Sequence, residues 1–234
     1  DGSSSYINIP YNANITPQTG NFTISAWVNA DNLSSWHPIW SPLVLSSNTA
    51  TVALHTFNTK VRVTIGRPTS GWALLLDSTA TLNTNTWYHI AVTFDFSGNA
   101  QIYINGQADN SAAIGTHSTS WSTADRTIGE GEGFWDGNIS NLQIWNTNLS
   151  ASQVETLYNN GSPLTTAIAS SNLKAWYKLD NSATFSTNWS IPDASGNGNT
   201  GTSSGMTEQN LVNNNVSVLN GTSSGMTTAN LVNS

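Results

Sequence analysis

Residues 85–107 read NTWYHIAVTFDFSGNAQIYINGQ, and their pattern decides the fold. Trp87–Phe94 and Gln101–Ile104 alternate apolar and polar residues with the period of two that places alternate side chains on opposite faces of a strand. Between them, Asp95-Phe96-Ser97-Gly98-Asn99 has turn chemistry. Asn105-Gly106, just beyond, is the dipeptide that most readily takes the positive φ angles of a tight hairpin turn. The stretch is therefore a β-meander. The same period appears in Phe22–Asn29, where Phe22, Ile24, Ala26 and Val28 share one face and Thr23, Ser25, Trp27 and Asn29 the other. Further short runs occur at Tyr6–Ile9, Pro42–Ser46, Val52–Phe57, Val61–Ile65, Trp72–Leu76 and Gly137–Trp145, nearly all bounded by Gly, Pro, Asn or Ser. Many short strands with turns between them predict an all-β, antiparallel sandwich.

One helix is expected. Ser150 is its N-cap, Gln153 the capping-box partner, Val154, Leu157 and Tyr158 an apolar stripe, and Gly161 the stop. This helix is expected to lie against the end of the sandwich.

Composition narrows the function. The 234 residues carry 13 acidic and 6 basic side chains, a net charge of −7, while Asn, Ser and Thr together number 93. Six Lys and Arg cannot neutralise a phosphate backbone, and no 18-residue apolar run spans a bilayer, so nucleic-acid and membrane-spanning roles are excluded. With no cysteine there is no disulfide framework, thiolate nucleophile or Cys-ligated zinc. The chain opens at Asp1 without Met or an apolar leader, as expected if a signal has been removed or the first residues of a longer product are missing.

After Gly161 the composition changes. Residues 162–234 are read as a linker, a strand at 173–180 (LKAWYKLD), a turn-rich IPDASGNGNTG at 191–201, and a repeat. In that repeat GTSSGMT at 201–207 recurs at 221–227, and NLVN at 210–213 recurs at 230–233. Two copies are too few for a solenoid, so a semi-extended tail with little core of its own is expected.

Several blocks carry a resemblance. DGSSSYINIP, FTISAWVNAD with its buried Trp27, the meander quoted above, and IGEGEGFWDGNISNLQIWNTNLSASQVETLYNNG resemble, in order and spacing, the laminin-G-like jelly rolls of the concanavalin A-like lectin/glucanase superfamily. The resemblance covers residues 1 to about 161. It implies a jelly-roll sandwich and leaves the activity open among lectins, adhesive modules, hydrolases and structural domains. In such domains a segment like LKAWYKLD with a DxSGNGNxG turn precedes the DGSSSYI-like strand. Here it follows the closing helix, and the tail is similar to repeat-bearing proteins of environmental phage-like sequences.

A jelly roll that starts one or two strands late has an open edge, which must be covered. Leu173, Ala175, Trp176, Tyr177 and Leu179 supply the covering strand, either folded back into their own sheet or entered into a neighbouring copy. The second arrangement propagates head-to-tail.

Among the candidate site residues, Trp36, Trp40, Trp72, Trp121 and Trp135 sit in or beside loops. They are candidates for an aromatic platform against which a sugar ring stacks, with His37, Asn48, Asp125 and Arg126 as a polar rim. Equally, they could plug the ends of the sandwich or an interface. Asp125, Glu130, Glu132 and Asp136 are candidate calcium ligands, with Asp1, Asp31 and Asp95 beside them, because calcium takes several oxygen ligands and related jelly rolls carry such an ion. The superfamily's glucanases use an E-x-D-x-x-E strand pattern that GEGEGFWDG does not match. No HExxH, no paired histidine spacing and no GxSxG elbow is present. The expectation is a non-catalytic, extracellular or virion- or cell-surface structural and adhesive module, a self-assembling subunit of a filament, fibre or virion appendage linked head-to-tail to copies of itself through its C-terminal segment. The alternatives are a monomeric lectin that binds cell-surface or extracellular glycans, and a glycoside hydrolase.

Overall fold

The computed structural model describes residues 2–16, 20–43, 51–66, 72–115 and 121–211. Its strands are β1 (Tyr6–Ile9), β2 (Phe22–Ala30), β3 (His37–Pro42), β4 (Val52–Phe57), β5 (Lys60–Gly66), β6 (Trp72–Asp77), β7 (Trp87–Phe94), β8 (Asn99–Ile104), β9 (Gln107–Ala113), β10 (Arg126–Ile128) and β11 (Gly137–Trp145). After helix α1 (Ala151–Tyr158) follow β12 (Leu173–Tyr177), β13 (Thr184–Phe185), β14 (Trp189–Ile191) and β15 (Gly201–Ser204). They form two antiparallel sheets. One has the order β13-β14-β15-β1-β10-β3-β4-β5-β6, the other β12-β11-β2-β7-β8-β9.

The alternation read in β2 places Phe22, Ile24, Ala26 and Val28 in the core between the sheets, with Ile9, Ile39, Leu54, Val63, Ile90 and Ile144. Every residue of β2 is nevertheless buried. Its second face is covered as well, because Trp27 and Trp87 pack beneath Tyr158 of α1, with Trp27 stacked on Tyr158 at 5.9 Å. Trp27 is thus buried outside the central core, and α1 lies on the outer face of the six-stranded sheet rather than at the end of the sandwich. Beside it the β8–β9 turn takes positive φ at Asn105 (51°) and Gly106 (78°). A Cβ on Gly106 would approach Tyr158 Cβ to 3.0 Å, so glycine serves both the turn and the seating of the helix. Ser150 and Gln153 form the expected capping box, but the helix ends at Asn159, in left-handed geometry, before Gly161.

Of the strand expected at 42–46, residues 44–46 lie outside the described residues; the strand that is described here, β3, runs over His37–Pro42. Prolines at 38 and 42 obscure it in the sequence, and the ladder accommodates them with a register shift between Pro38 and Trp40.

The strand expected at 173–180 is present as β12 and lies in the chain's own sheet, and the expectation of a tail with little core is corrected only for the first repeat copy, where Gly201–Ser204 forms β15. Ala175, Tyr177, Trp189 and Ile191 enter the central core, and Leu173 and Trp176 a second cluster with Trp145, Val154 and Leu157. Strand β12 pairs with β11 and β15 with β1, so the C-terminal segment closes both sheets on one side of the sandwich. The outer edge of β12 is closed too. Asp193 Oδ1 accepts from the Trp176 N–H at 2.9 Å, Ala194 N–H donates to the Trp176 carbonyl at 2.8 Å, and Asn197 and Asn199 donate to the carbonyls of Leu173 and Lys174. The DASGNGN turn is therefore an edge cap made of side chains and bends. The second copy of the repeat lies outside the described residues.

Candidate functional site

The five tryptophans do not form one platform. Trp40 is fully buried opposite Leu54, and Trp121 and Trp135 are in the central core, where Trp121 meets Phe96 edge-on at 5.4 Å. An indole packed between sheets has no face left for a sugar. Trp72 opens β6, and its side chain lies outside the described residues. Trp36 alone of the four described rings is half-exposed.

Nor does the expected rim converge. Asn48 lies outside the described residues. His37 is buried, with Nδ1 3.0 Å from the Phe134 carbonyl. Asp125 accepts from Asn8 Nδ2 (3.0 Å) and from the Tyr11 N–H (2.9 Å), tying down the end of β1. Arg126 is 1% exposed and donates to the carbonyls of Ala124 and Ser122, and burial lowers its pKa to about 10.

A different group assembles around Trp36. On the outer face of β3, β4 and β5, Pro38 stands opposite His55, Ala53 opposite Thr64, and His55 opposite Arg62. These are the positions that alternate with the core residues Leu54, Val61, Val63 and Ile65. Trp36 packs on this face, 4.2 Å from His55 and 4.9 Å from Phe57 between ring centroids. The Arg62 guanidinium lies 4.2 Å from the Phe57 ring and 5.4 Å from that of Trp36. It also pairs with Asp77 through two contacts of 2.5 and 2.6 Å. Trp36, Pro38, Ser41, Ala53, His55, Thr64 and Glu132 line a small, half-open pocket.

The glycines of GEGEG have a steric role here. A Cβ on Gly131 would stand 2.8 Å from Ser41 Oγ, and one on Gly133 2.7 Å from the Trp36 carbonyl oxygen. Only glycine lets this loop lie flat on β3 and its entry, and that close approach holds Glu132 at the lip of the pocket.

The electrostatics are specific. His55 is 3% exposed, and burial, reinforced by the Arg62 charge, lowers its pKa to about 3, so the imidazole is neutral at ordinary pH. Its Nε2 has no protein hydrogen-bond partner. A neutral aromatic floor with an unsatisfied ring nitrogen, two hydroxyls and one carboxylate can hold a polar ligand that also has an apolar face. It lacks a second lining carboxylate of the kind that glycosidic cleavage uses.

The four acids expected to hold calcium are separately employed. Both oxygens of Asp125 are hydrogen-bonded, Asp136 packs against Gly2, and Glu132 lines the pocket. Glu130 pairs with Phe134 in an isolated bridge, and burial raises the pKa of its carboxyl. Among the described residues no three Asp, Glu or His side chains form a group that could hold a metal, so these four do not fit the oxygen cage calcium needs. Asp31 is exposed, Asp95 accepts from Ser97 within its turn, and Asp1 lies outside the described residues.

The strand residues expected to link subunits lie within the chain's own sandwich. Leu173, Ala175, Trp176 and Tyr177 are buried in β12, and Leu179, with φ of 57°, follows its end.

A sandwich of two antiparallel sheets closed by one helix has many relatives. A laminin G domain sequence model, described as the concanavalin A-like lectin/glucanases superfamily, matches residues 1–155. The chain belongs to this superfamily. No curated protein sequence matches it. Among solved structures, this superfamily member is similar to a candidate carbohydrate binding protein from Bacteroides ovatus ATCC 8483, with a TM-score of 0.65 and 24% identity over 86% of this chain and 57% of that one. It thus spans a little over half of that protein's length. It is also similar to the receptor binding domain of botulinum neurotoxin C/D mosaic serotype, with a TM-score of 0.54 and 17% identity over 80% and 51% of the two chains. Domain 4 of AbnA, a GH43 extracellular arabinanase from Geobacillus stearothermophilus solved with arabinotriose, gives a TM-score of 0.52 and 21% identity over 65% and 72%. At these identities the likeness is one of fold.

Sequence reasoning named Trp36 as one of five platform candidates and Glu132 as a calcium candidate, did not bring the two together, and missed Pro38, Ser41, His55, Phe57, Arg62 and Thr64. A usable signal existed. The Asn58-Thr59 turn, with φ of 47° and 66°, sets the register of β4 against β5 and puts His55, Phe57, Arg62 and Thr64 on the face opposite the aliphatic residues.

Proposed function

We propose that this chain is a non-catalytic carbohydrate-binding module acting outside the cell or on a cell or virion surface, with the Trp36 pocket as its glycan site. One observation carries the reading: a half-exposed indole stands beside hydroxyls, an unsatisfied imidazole nitrogen and a carboxylate on an outer sheet face. Sugar recognition needs that combination, an apolar ring face to stack on and converging polar groups for the hydroxyls. The carbohydrate binding named for two of the similar structures supports it. A glycan array followed by calorimetry tests it. Hits that vanish in Trp36→Ala, with circular dichroism unchanged, bear the reading out; an array blank at millimolar ligand, or hits indifferent to Trp36→Ala, overturns it.

A second reading, a filament, fibre or virion-appendage subunit linked head-to-tail, is favoured by the C-terminal segment. Residues 173–211 close the edges of both sheets and join the rest of the sandwich through residues 162–172, so a neighbour can make the same pairings. Light scattering over a hundredfold concentration range tests this reading. Mass that grows with concentration supports exchange, and a constant monomer mass removes it.

A further inference from the structure

The charge of the Trp36 pocket restricts which sugars it takes, an inference that rests on the carbohydrate-binding reading. The polar groups lining it are the hydroxyls of Ser41 and Thr64, the His55 imidazole and the Glu132 carboxylate. None is cationic, since His55 remains neutral down to about pH 3. The nearest cation is already engaged: Arg62 is paired through two nitrogens with Asp77, flanked by Phe57 and Trp36, and 14% exposed at its side chain. Lys60, on the same pair of strands, donates to the Thr79 carbonyl and does not line the pocket. Among the described residues nothing there is free to neutralise an anion. A sugar hydroxyl, by contrast, both donates and accepts, as does a neutral imidazole.

We propose that the pocket takes one uncharged sugar ring of a glycan and rejects sialylated or uronate-bearing ones, the ring lying against Trp36 and Pro38 with its hydroxyls directed to Ser41, Thr64, His55 and Glu132. A ligand carboxylate seated here would face Glu132 across a few ångströms of half-open space, which weakens binding by about tenfold or more. The pocket is shallow and half-open, so the ring lies across its mouth against Trp36 rather than inside an enclosed cavity.

Calorimetry on the whole chain with ligand pairs of matched size tests this: lactose against 3′-sialyllactose, and arabinotriose against trigalacturonic acid. The neutral member of a pair should bind at least about tenfold more tightly than the charged one. Glu132→Lys, an exposed loop substitution, should shrink or reverse that gap. If the charged sugar binds more tightly while Trp36→Ala still abolishes binding, the glycan reading stands and this inference falls. A gap unchanged in Glu132→Lys also overturns it. Should none of these sugars bind while the glycan array gives Trp36-dependent hits on charged glycans alone, only the inference fails; with no hits at all, both fail.

Discussion

At the scale of single residues, two buried histidines set how the protein responds to acid. His55 and His89 both have pKa values lowered to about 3, in each case chiefly by burial. His89 lies within 2.8 Å of Ser25 Oγ through Nε2, beneath α1 and out of reach of any ligand. Both rings are neutral when folded, whereas the unfolded chain takes up protons below about pH 6.5. Stability should therefore be complete above that pH and fall as pH drops from about 6.5 toward 3, by up to ~1.4 kcal/mol per pH unit for each histidine. Glu130, whose carboxyl burial pushes upward, acts weakly in the opposite direction. Urea midpoints at pH 7 and 4.5 check this. The midpoint should be lower at pH 4.5, the drop should lessen in His89→Gln relative to its own pH 7 value, and equal midpoints in the native chain would contradict neutral burial. The Trp36→Ala variant belongs to this scale too. Because Trp36 sits on the outer face, its loss should remove ligand binding while lowering stability by about 1–2 kcal/mol, less than a core Trp→Ala, as a urea titration would show.

At the scale of elements, the DASGNGN turn connects sequence to behaviour most directly. Its glycines and amides read in the sequence as a loop, yet Asp193 accepts four hydrogen bonds: from the backbone N–H groups of Trp176, Ser195 and Asn199 and from the Asn199 side chain. Asp193→Ala should cost about 2–4 kcal/mol, since hydrogen bonds to charged groups contribute about 1.5–3 kcal/mol each and water replaces some of them. It should also promote aggregation, because the freed edge of β12 becomes available for pairing. Denaturant unfolding and static light scattering measure the two effects separately. Strands with clean alternation, such as β4, β7 and β11, were legible to the residue. Those carrying prolines or only three residues, β3 and β10, were not, because in them the ladder partner rather than local pattern makes the strand.

At the scale of the whole molecule, the C-terminal segment is the deciding part. It buries Leu173, Trp176, Tyr177, Trp189 and Ile191, which together contribute on the order of 10 kcal/mol, comparable to the whole stability of an ordinary domain. Ending the chain at Gly161 should leave an insoluble or unfolded product, seen as loss of the β signature in circular dichroism. A circular permutant should behave differently. The Ser5 hydroxyl donates to the Gly205 carbonyl at 3.0 Å, so the described N-terminal strand and β15 already run side by side. Opening the chain between the exposed Thr166 and Ala167, and joining residue 211 to residue 2 with a short flexible linker, should preserve the fold and the urea midpoint within about 1 kcal/mol. A permutant that unfolds would show that the connector, rather than the strands it joins, organises this side of the sandwich.

The sequence by itself determined the sandwich, most strand positions, the capped helix and the hairpin turn at Asn105-Gly106, because period, capping and turn chemistry act over a few neighbouring residues. It also carried two of the pocket's lining residues, Trp36 and Glu132, as separate candidates for different roles. Only the tertiary structure decided which tryptophans keep a face to solvent, that His55 and Arg62 join Trp36, and that the late strand returns to its own sheet. Those outcomes depend on which strand lies beside which and on what covers each face, and residues far apart in the chain settle that through pairing and burial rather than through local pattern.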